Sequence, residues 1–147
     1  MSNPMRFSDE NLTLADFYAE VWVACPSCAR KAVARADYEQ QLARLTCPHC
    51  GYHKELSTTL SEKMALVQPA HGYFDAVLWL QAPFRDETFL AYNDRHLAYL
   101  EAYIRGTLRE HRDRKGFTLL ERLPKFYHLA ANRKPLLRII ETLKAKG

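Results

Sequence analysis

The residues best suited to chemistry in this sequence are four cysteines, in Cys25-Pro-Ser-Cys28 and Cys47-Pro-His-Cys50, the second pair followed by Gly51. They are all the cysteines of the chain, and their spacing, C-x2-C-x18-C-x2-C, is that of a tetrathiolate metal site. Two residues between paired sulfurs let one tight turn aim both at a single ion, while nearby backbone N–H groups point back at the thiolates. Pro26 and Pro48 fix φ at about −65° and preform each turn. Gly51 suits the left-handed residue that ends such a knuckle; the first knuckle has Ala29 there, where glycine would be easier. The expected cofactor is one structural zinc ion on Cys25, Cys28, Cys47 and Cys50. Iron in a rubredoxin-like site takes the same ligands, and the sequence does not separate the two metals. A disulfide framework is disfavoured, because no secretory leader is read at the start of the chain. A thioredoxin-like redox pair needs one C-x-x-C and leaves the other unexplained. His49 and His53 are read as bystanders beside a complete set of thiolates.

The segments around the knuckles must hold them. Val21 and Val23 alternate with Trp22 and Ala24 into the first knuckle, and Lys31 to Arg35 alternates on the way out. Asp37 to Gln41 turns the chain, Leu42 to Thr46 leads into the second knuckle, and His53 to Thr59 leaves it. Two hairpins clamping one metal make a zinc ribbon, in which the ion replaces a core that about 40 residues could scarcely build.

Beyond it, Leu60 to Gly72 reads as a connector, with Met64 to Val67 as a helical turn or a strand. Phe74 to Gln81 reads as a strand, Pro83 to Glu87 as its turn and Thr88 to Tyr92 as the return strand, with Trp79 and Phe89 packed on a helix. Asn93 or Asp94 caps a helix to about Arg112, buried along Leu97, Leu100, Ile104 and Leu108. Leu123-Pro124 opens a short helix to about Ala131, and Asn132-Arg-Lys-Pro135 opens the last one. Leu12 to Tyr18 has the makings of a short helix. The fold class is thus α+β: an N-terminal zinc ribbon followed by a β-hairpin and about three C-terminal helices. The domains read as a loose lead-in over 1–16, the ribbon over 17–60, and the hairpin plus basic helical module over 61–147.

With 147 residues, 48% apolar and 12% aromatic, the chain has material for a core, and no apolar run is long enough to span a membrane. A cytoplasmic location is expected. The net charge of +4 is unevenly placed: residues 1–100 carry 9 Lys/Arg against 12 Asp/Glu, and residues 101–147 carry 12 against 5. Such asymmetry points to a polyanionic partner or to a solvated basic face.

The knuckles and their hairpins resemble the zinc ribbons of general transcription factor IIB and many nucleic-acid enzymes. Tyr92-Asn-Asp-Arg-His-Leu-Ala-Tyr-Leu-Glu101, with Arg122-Leu-Pro-Lys-Phe and Ala131-Asn-Arg-Lys, is similar to a family of small bacterial zinc-ribbon proteins that brings no established activity. Some of its members carry labels borrowed from the primosomal replication-restart helicase. That activity is not carried over, because none of the five glycines builds the phosphate loop a helicase needs.

Three functions compete. The first is a non-catalytic nucleic-acid-binding protein, contacting phosphates through Arg105, Arg109, Arg112, Arg114, Lys115, Arg133, Lys134 and Arg138, with Lys31 and Arg35 extending the path. The second is an adaptor that docks a larger protein through the knuckles or the Trp79 hairpin. The third is a ribonuclease of the HEPN type, which places an arginine four to six residues before a histidine. Arg105 with His111, Arg122 with His128 and Arg44 with His49 meet that spacing, but 13 arginines and six histidines make such coincidences common. A catalytic metal is disfavoured, since four thiolates leave no position for water. His96, at the helix start, and Asn132 with Arg133, at a basic helix start that could receive an anion, are further candidates. No small-molecule substrate or membrane is implied.

Overall fold

A computed structural model describes residues 17–61, 64–65, 67–106 and 123–147. Strands β1 (Glu20–Ala24), β2 (Lys31–Asp37), β3 (Leu42–Thr46) and β4 (His53–Ser57) form one antiparallel sheet in the order β1-β2-β3-β4. The alternation read from the sequence decides which face is buried. Val21, Val23, Ala32, Ala34, Ala43 and Leu45 are fully enclosed, while Arg35, Arg44 and Glu55 stand outside. The two knuckle hairpins are therefore not separate clamps: β2 and β3 also pair, from Val33 with Thr46 to Asp37 with Leu42. Strands β5 (Thr59–Ser61) and β6 (Met64–Ala65) form a small antiparallel pair, the strand alternative at Met64.

The strand expected over Phe74 to Gln81 is displaced. Ala70–Phe74 winds into a 3-10 turn, which Asp75 ends in the left-handed conformation with φ 51°. Val77 to Trp79 then lies along the free edge of β1: Ala24 N–H donates to Val77 O at 2.8 Å and Trp79 N–H to Trp22 O at 3.0 Å. These β-forming residues satisfy an existing sheet edge instead of starting a ladder. The ladder begins later, with β7 (Leu80–Phe84) paired to β8 (Glu87–Ala91). The loop is Arg85-Asp86, Arg85 taking φ 56°, as tight hairpin loops require of their first residue. Pro83, expected in the turn, lies within β7, where a two-stranded sheet leaves room for a residue without an N–H.

Helix α1 (Asp94–Arg105) buries Leu97, Leu100 and Ile104 as expected, and Tyr103 with them. The expected continuation to Arg112, with Leu108, lies outside the described residues, as does most of Leu12 to Tyr18. The short helix expected from Pro124 is instead two 3-10 turns, Lys125–Tyr127 and Ala130–Asn132. Pro124 sits at φ −56° and ψ 152°, an extended conformation outside the helix rather than its first turn. Helix α2 (Arg133–Lys146) carries Pro135 in its first turn and buries Leu136, Ile140 and Leu143. The described residues thus hold two α-helices, not three.

The described residues fall into two compact units, one of residues 17–61, 64–65, 67–81 and 90–93, the other of residues 82–89, 94–106 and 123–147. The sheet unit takes in the segment after residue 60 because that segment packs behind the sheet. Tyr38 Oη donates to Gln68 O at 2.6 Å and Ala70 N–H to Tyr18 O at 2.9 Å. Asn93 ties the unit's last residues to its first, its Nδ2 donating to Phe17 O at 2.9 Å and Glu20 O at 2.6 Å. Asn93, expected at the start of α1, thus also reaches through its Nδ2 to the chain 73 residues earlier. In the helical unit, Phe84 stacks on Phe126 and Phe89 on Tyr127, with centroids 5.5 and 5.3 Å apart. Helices α1 and α2 pack together, with Lys144 Nζ 3.2 Å from Glu101. No helix among the described residues is long and apolar enough to cross a membrane.

Candidate metal centre

Each knuckle is a turn that the strands deliver. Cys25 N–H donates to Arg30 O at 2.7 Å and Ala29 N–H to Cys25 O at 2.9 Å, closing the loop between β1 and β2. Cys47 N–H donates to Tyr52 O and Gly51 N–H to Cys47 O, both at 2.9 Å, closing the loop between β3 and β4. The two loops match down to the left-handed residue, φ 65° at Ala29 and 81° at Gly51. A β-carbon in that conformation costs about 1 kcal/mol or more. Ala29→Gly is accordingly expected to stabilise the metal-loaded protein by about 1 kcal/mol, read as a higher denaturant midpoint at unchanged slope.

The four Sγ atoms lie within 4.8 Å of one another. Cys25 and Cys50 are 3.6 Å apart, as are Cys28 and Cys47. An S–S bond is about 2.05 Å long, so these are free thiols and not disulfides. Two sulfurs on a tetrahedral ion with bonds of about 2.3 Å would stand about 3.8 Å apart. The cluster therefore fits one four-coordinate thiophilic ion with shifts of a few tenths of an ångström to about an ångström. Cys25 and Cys47 are buried and Cys50 is exposed, so the ion would sit at the surface end of the core.

The electrostatics also suit a dication. Burial pushes the Cys25 thiol up, but N–H groups of Cys28 and Ser27, at 3.4 and 3.3 Å from its sulfur, and the adjoining sulfhydryls outweigh it and hold it at about 7. Cys28 goes the other way. A backbone bond from Arg30 favours its thiolate, yet desolvation and three neighbouring sulfurs push it to about 12. Among the thiols alone, one anion forms easily and resists the next. A divalent cation removes that conflict, and a coordinating thiol is deprotonated outright.

His49 and His53 are exposed and stand outside the sulfur cluster, His53 Nε2 lying 3.9 Å from Glu55. Of the eight basic candidates, Arg109, Arg112, Arg114 and Lys115 lie outside the described residues. Arg105 is exposed but answered by Glu101 at 3.2 Å and Glu141 at 3.6 Å. Arg133, Lys134 and Arg138 all belong to α2; Lys134 and Arg138 are exposed, Arg133 is half-buried, and none forms an ion pair among the described residues. Lys31 lies over the Trp22 ring, 3.8 Å from its centroid, and Arg35 meets Glu20 at 3.3 Å.

Two other candidates change meaning. Asn132 is buried, with Oδ1 accepting from Arg85 Nη1 at 2.9 Å and Nδ2 donating to Phe126 O at 3.1 Å, so its amide serves the fold and does not face an anion. His96 is enclosed at 2% exposure, not set at the surface beside the arginines. Among the arginine–histidine spacings, His111 and Arg122 lie outside the described residues, while His128 Nδ1 pairs with the Tyr103 hydroxyl. The sequence reading gave Arg44 no binding role, yet its strand position opposite Arg35 makes it notable. The signal was available: residues 35 and 44 stand almost symmetrically about the 37–41 turn. No protein-family model, curated protein or solved structure matches the chain.

Proposed function

We propose that Cys25, Cys28, Cys47 and Cys50 hold one structural zinc ion, which makes the β1–β4 sheet a zinc ribbon, and that the chain is a non-catalytic nucleic-acid-binding protein. The observation that carries the metal is the convergence of all four sulfurs on a space of tetrahedral dimensions. Four thiolates close the coordination sphere, so the ion supplies rigidity and not a reactive water. The binding role is supported by the basic excess after residue 100 and by Arg133, Lys134 and Arg138, which no carboxylate neutralises among the described residues.

Phosphate contacts release counterions, so affinity should fall steeply with salt. Three contacts imply a slope of about −2 in log K against log salt for a single strand. Fluorescence anisotropy with a labelled oligonucleotide, DNA and RNA in parallel, measures it. Arg133→Ala, Lys134→Ala and Arg138→Ala together should flatten the slope by about 2 while leaving α2 intact, since alanine is the best helix former. A flat salt series with the unaltered protein rejects the reading. A protein captured from lysate in a form that survives nuclease, with no oligonucleotide binding, would favour the adaptor role instead.

A further inference from the structure

The exposed face of the β1–β4 sheet carries an arrangement that the stability of the sheet does not ask for. Arg35 on β2 and Arg44 on β3 are direct partners in the ladder, Glu20 lies opposite Arg35 from β1, and Glu55 lies opposite Arg44 from β4. Read across the sheet, the row is minus, plus, plus, minus. Like charges directly opposite each other destabilise a sheet, and alternating the signs along the same four positions would avoid the clash.

Each guanidinium meets its glutamate through Nε, Arg35 to Glu20 at 3.3 Å and Arg44 to Glu55 at 2.7 Å. The terminal Nη groups of both have no partner among the described residues. These ion pairs join side chains that are 40 to 60% exposed, so they are weak and hold the arginines without occupying their forks. Both arginines line one open depression of about 690 Å3, together with Gln40 and Thr46. Two carboxylates also border it. Asp37 is committed to the turn, its Oδ1 accepting N–H bonds from Glu39 and Gln40 at 3.1 and 3.0 Å, and Glu39 is exposed. The hollow is also lined by Leu42 and Tyr38, so its anion-binding groups are the paired planar forks at its edge, whose geometry matches the oxygens of a phosphate group.

We propose that Arg35 and Arg44 form a phosphate-binding site on the exposed face of the sheet. The source of the phosphate is a nucleic-acid backbone or a free phosphate compound. Only the first source rests on the function proposed above; the site itself does not. An anion between the two guanidiniums removes their repulsion and so offsets the cost that the pair imposes on the sheet.

The test is a titration of the zinc-loaded full chain, followed by NMR at the arginine Nε–H and Thr46 amide signals. Inorganic phosphate is one probe and a short single-stranded oligonucleotide the other. The comparison protein carries Arg35→Thr and Arg44→Thr, a β-forming pair that keeps the strands. The expected result is that at least one probe shifts the Arg35, Arg44 and Thr46 signals. The double variant should bind that probe at least about tenfold more weakly, with an equal or higher denaturant midpoint. A response to the oligonucleotide alone assigns the backbone as the source, and a response to both supports the site and shows that it takes the phosphate group from either source. A response to phosphate alone keeps the site but removes the support for nucleic acid. If the oligonucleotide binds without moving these signals, the function stands and this site is overturned. If neither probe moves them, or the double variant binds as the unaltered protein does, the site is likewise overturned.

Discussion

Cys47→Ser is expected to leave the purified protein without tightly held metal and the β1–β4 sheet unfolded. The inner face of that sheet is thin, because three of its six enclosed strand residues are Ala32, Ala34 and Ala43. The larger groups packed on it, Tyr18, Phe74, Leu78 and Tyr92, are only partly buried. Ordering a backbone costs about 1–2 kcal/mol per residue, and short aliphatic side chains offset little of it over a segment this small. A structural zinc ion contributes about 10–16 kcal/mol in comparable small units at neutral pH, so losing such an ion would outweigh any other single change to this chain. Cys47 is the most informative position, since it is 3% exposed, its sulfur lies 3.6 Å from Cys28, and its N–H closes the second knuckle onto Tyr52. Elemental analysis of the unaltered protein should give one zinc per chain and no visible-light absorption of the iron–thiolate kind. His49→Ala, outside the cluster, should keep the metal. A Cys47→Ser protein that retains both a stoichiometric ion and protected β1–β4 amides would remove the metal from the account of the fold.

Chelation and acid should reach the same end as the serine variant, because a thiolate must lose its proton to bind and regains it as pH falls. The raised Cys28 thiol makes metal-free protein take up an ion more readily as pH increases. Zinc release on acidification, followed with a chromogenic chelator, is the companion measurement.

The parts of this molecule that were legible in the sequence are those whose physics is local. A C-x2-C turn is set by two residues and a proline, so both knuckles could be read off with their left-handed ends. Alternation along Val21 to Ala24 and Lys31 to Arg35 needs only a sheet with one buried face. Elements whose fate depends on distant partners were misplaced. Val77 to Trp79 has the composition of a ladder strand, but the open edge of β1, more than fifty residues earlier, takes it first. The bonds from Asn93 Nδ2 to Phe17 O and Glu20 O were likewise out of reach of the sequence, since they form only once the unit has closed. Asn132 was misread for the same reason, with Arg85 and Phe126 converging on it from other turns. The Arg35–Arg44 pair could be read only by fixing the register about the 37–41 turn, since register decides whether two arginines face each other or lie on opposite faces.

His96 carries the second large effect, an acid sensitivity of the helical unit that is independent of the metal. Its imidazole is enclosed on α1, and burial pushes its pKa from 6.5 down to about 4. The native state therefore keeps it neutral until pH nears 4, whereas an unfolded chain protonates it below about 6.5. Between those values the unfolded state binds more protons, so stability falls as pH falls. The contribution is fully present above 6.5 and lost on the way to 4, with a total of about 3 kcal/mol for a shift of this size. His96→Gln preserves a polar side chain of similar reach without a titrating group. The measurement is the urea stability of both proteins at pH 7 and pH 5, followed through the helical circular dichroism signal. The unaltered protein should lose about 2 kcal/mol more than the variant over that interval, whatever both lose through the cysteines. Equal losses would mean that His96 charges in place, and an imidazolium held inside α1 would need an anionic partner to sustain it.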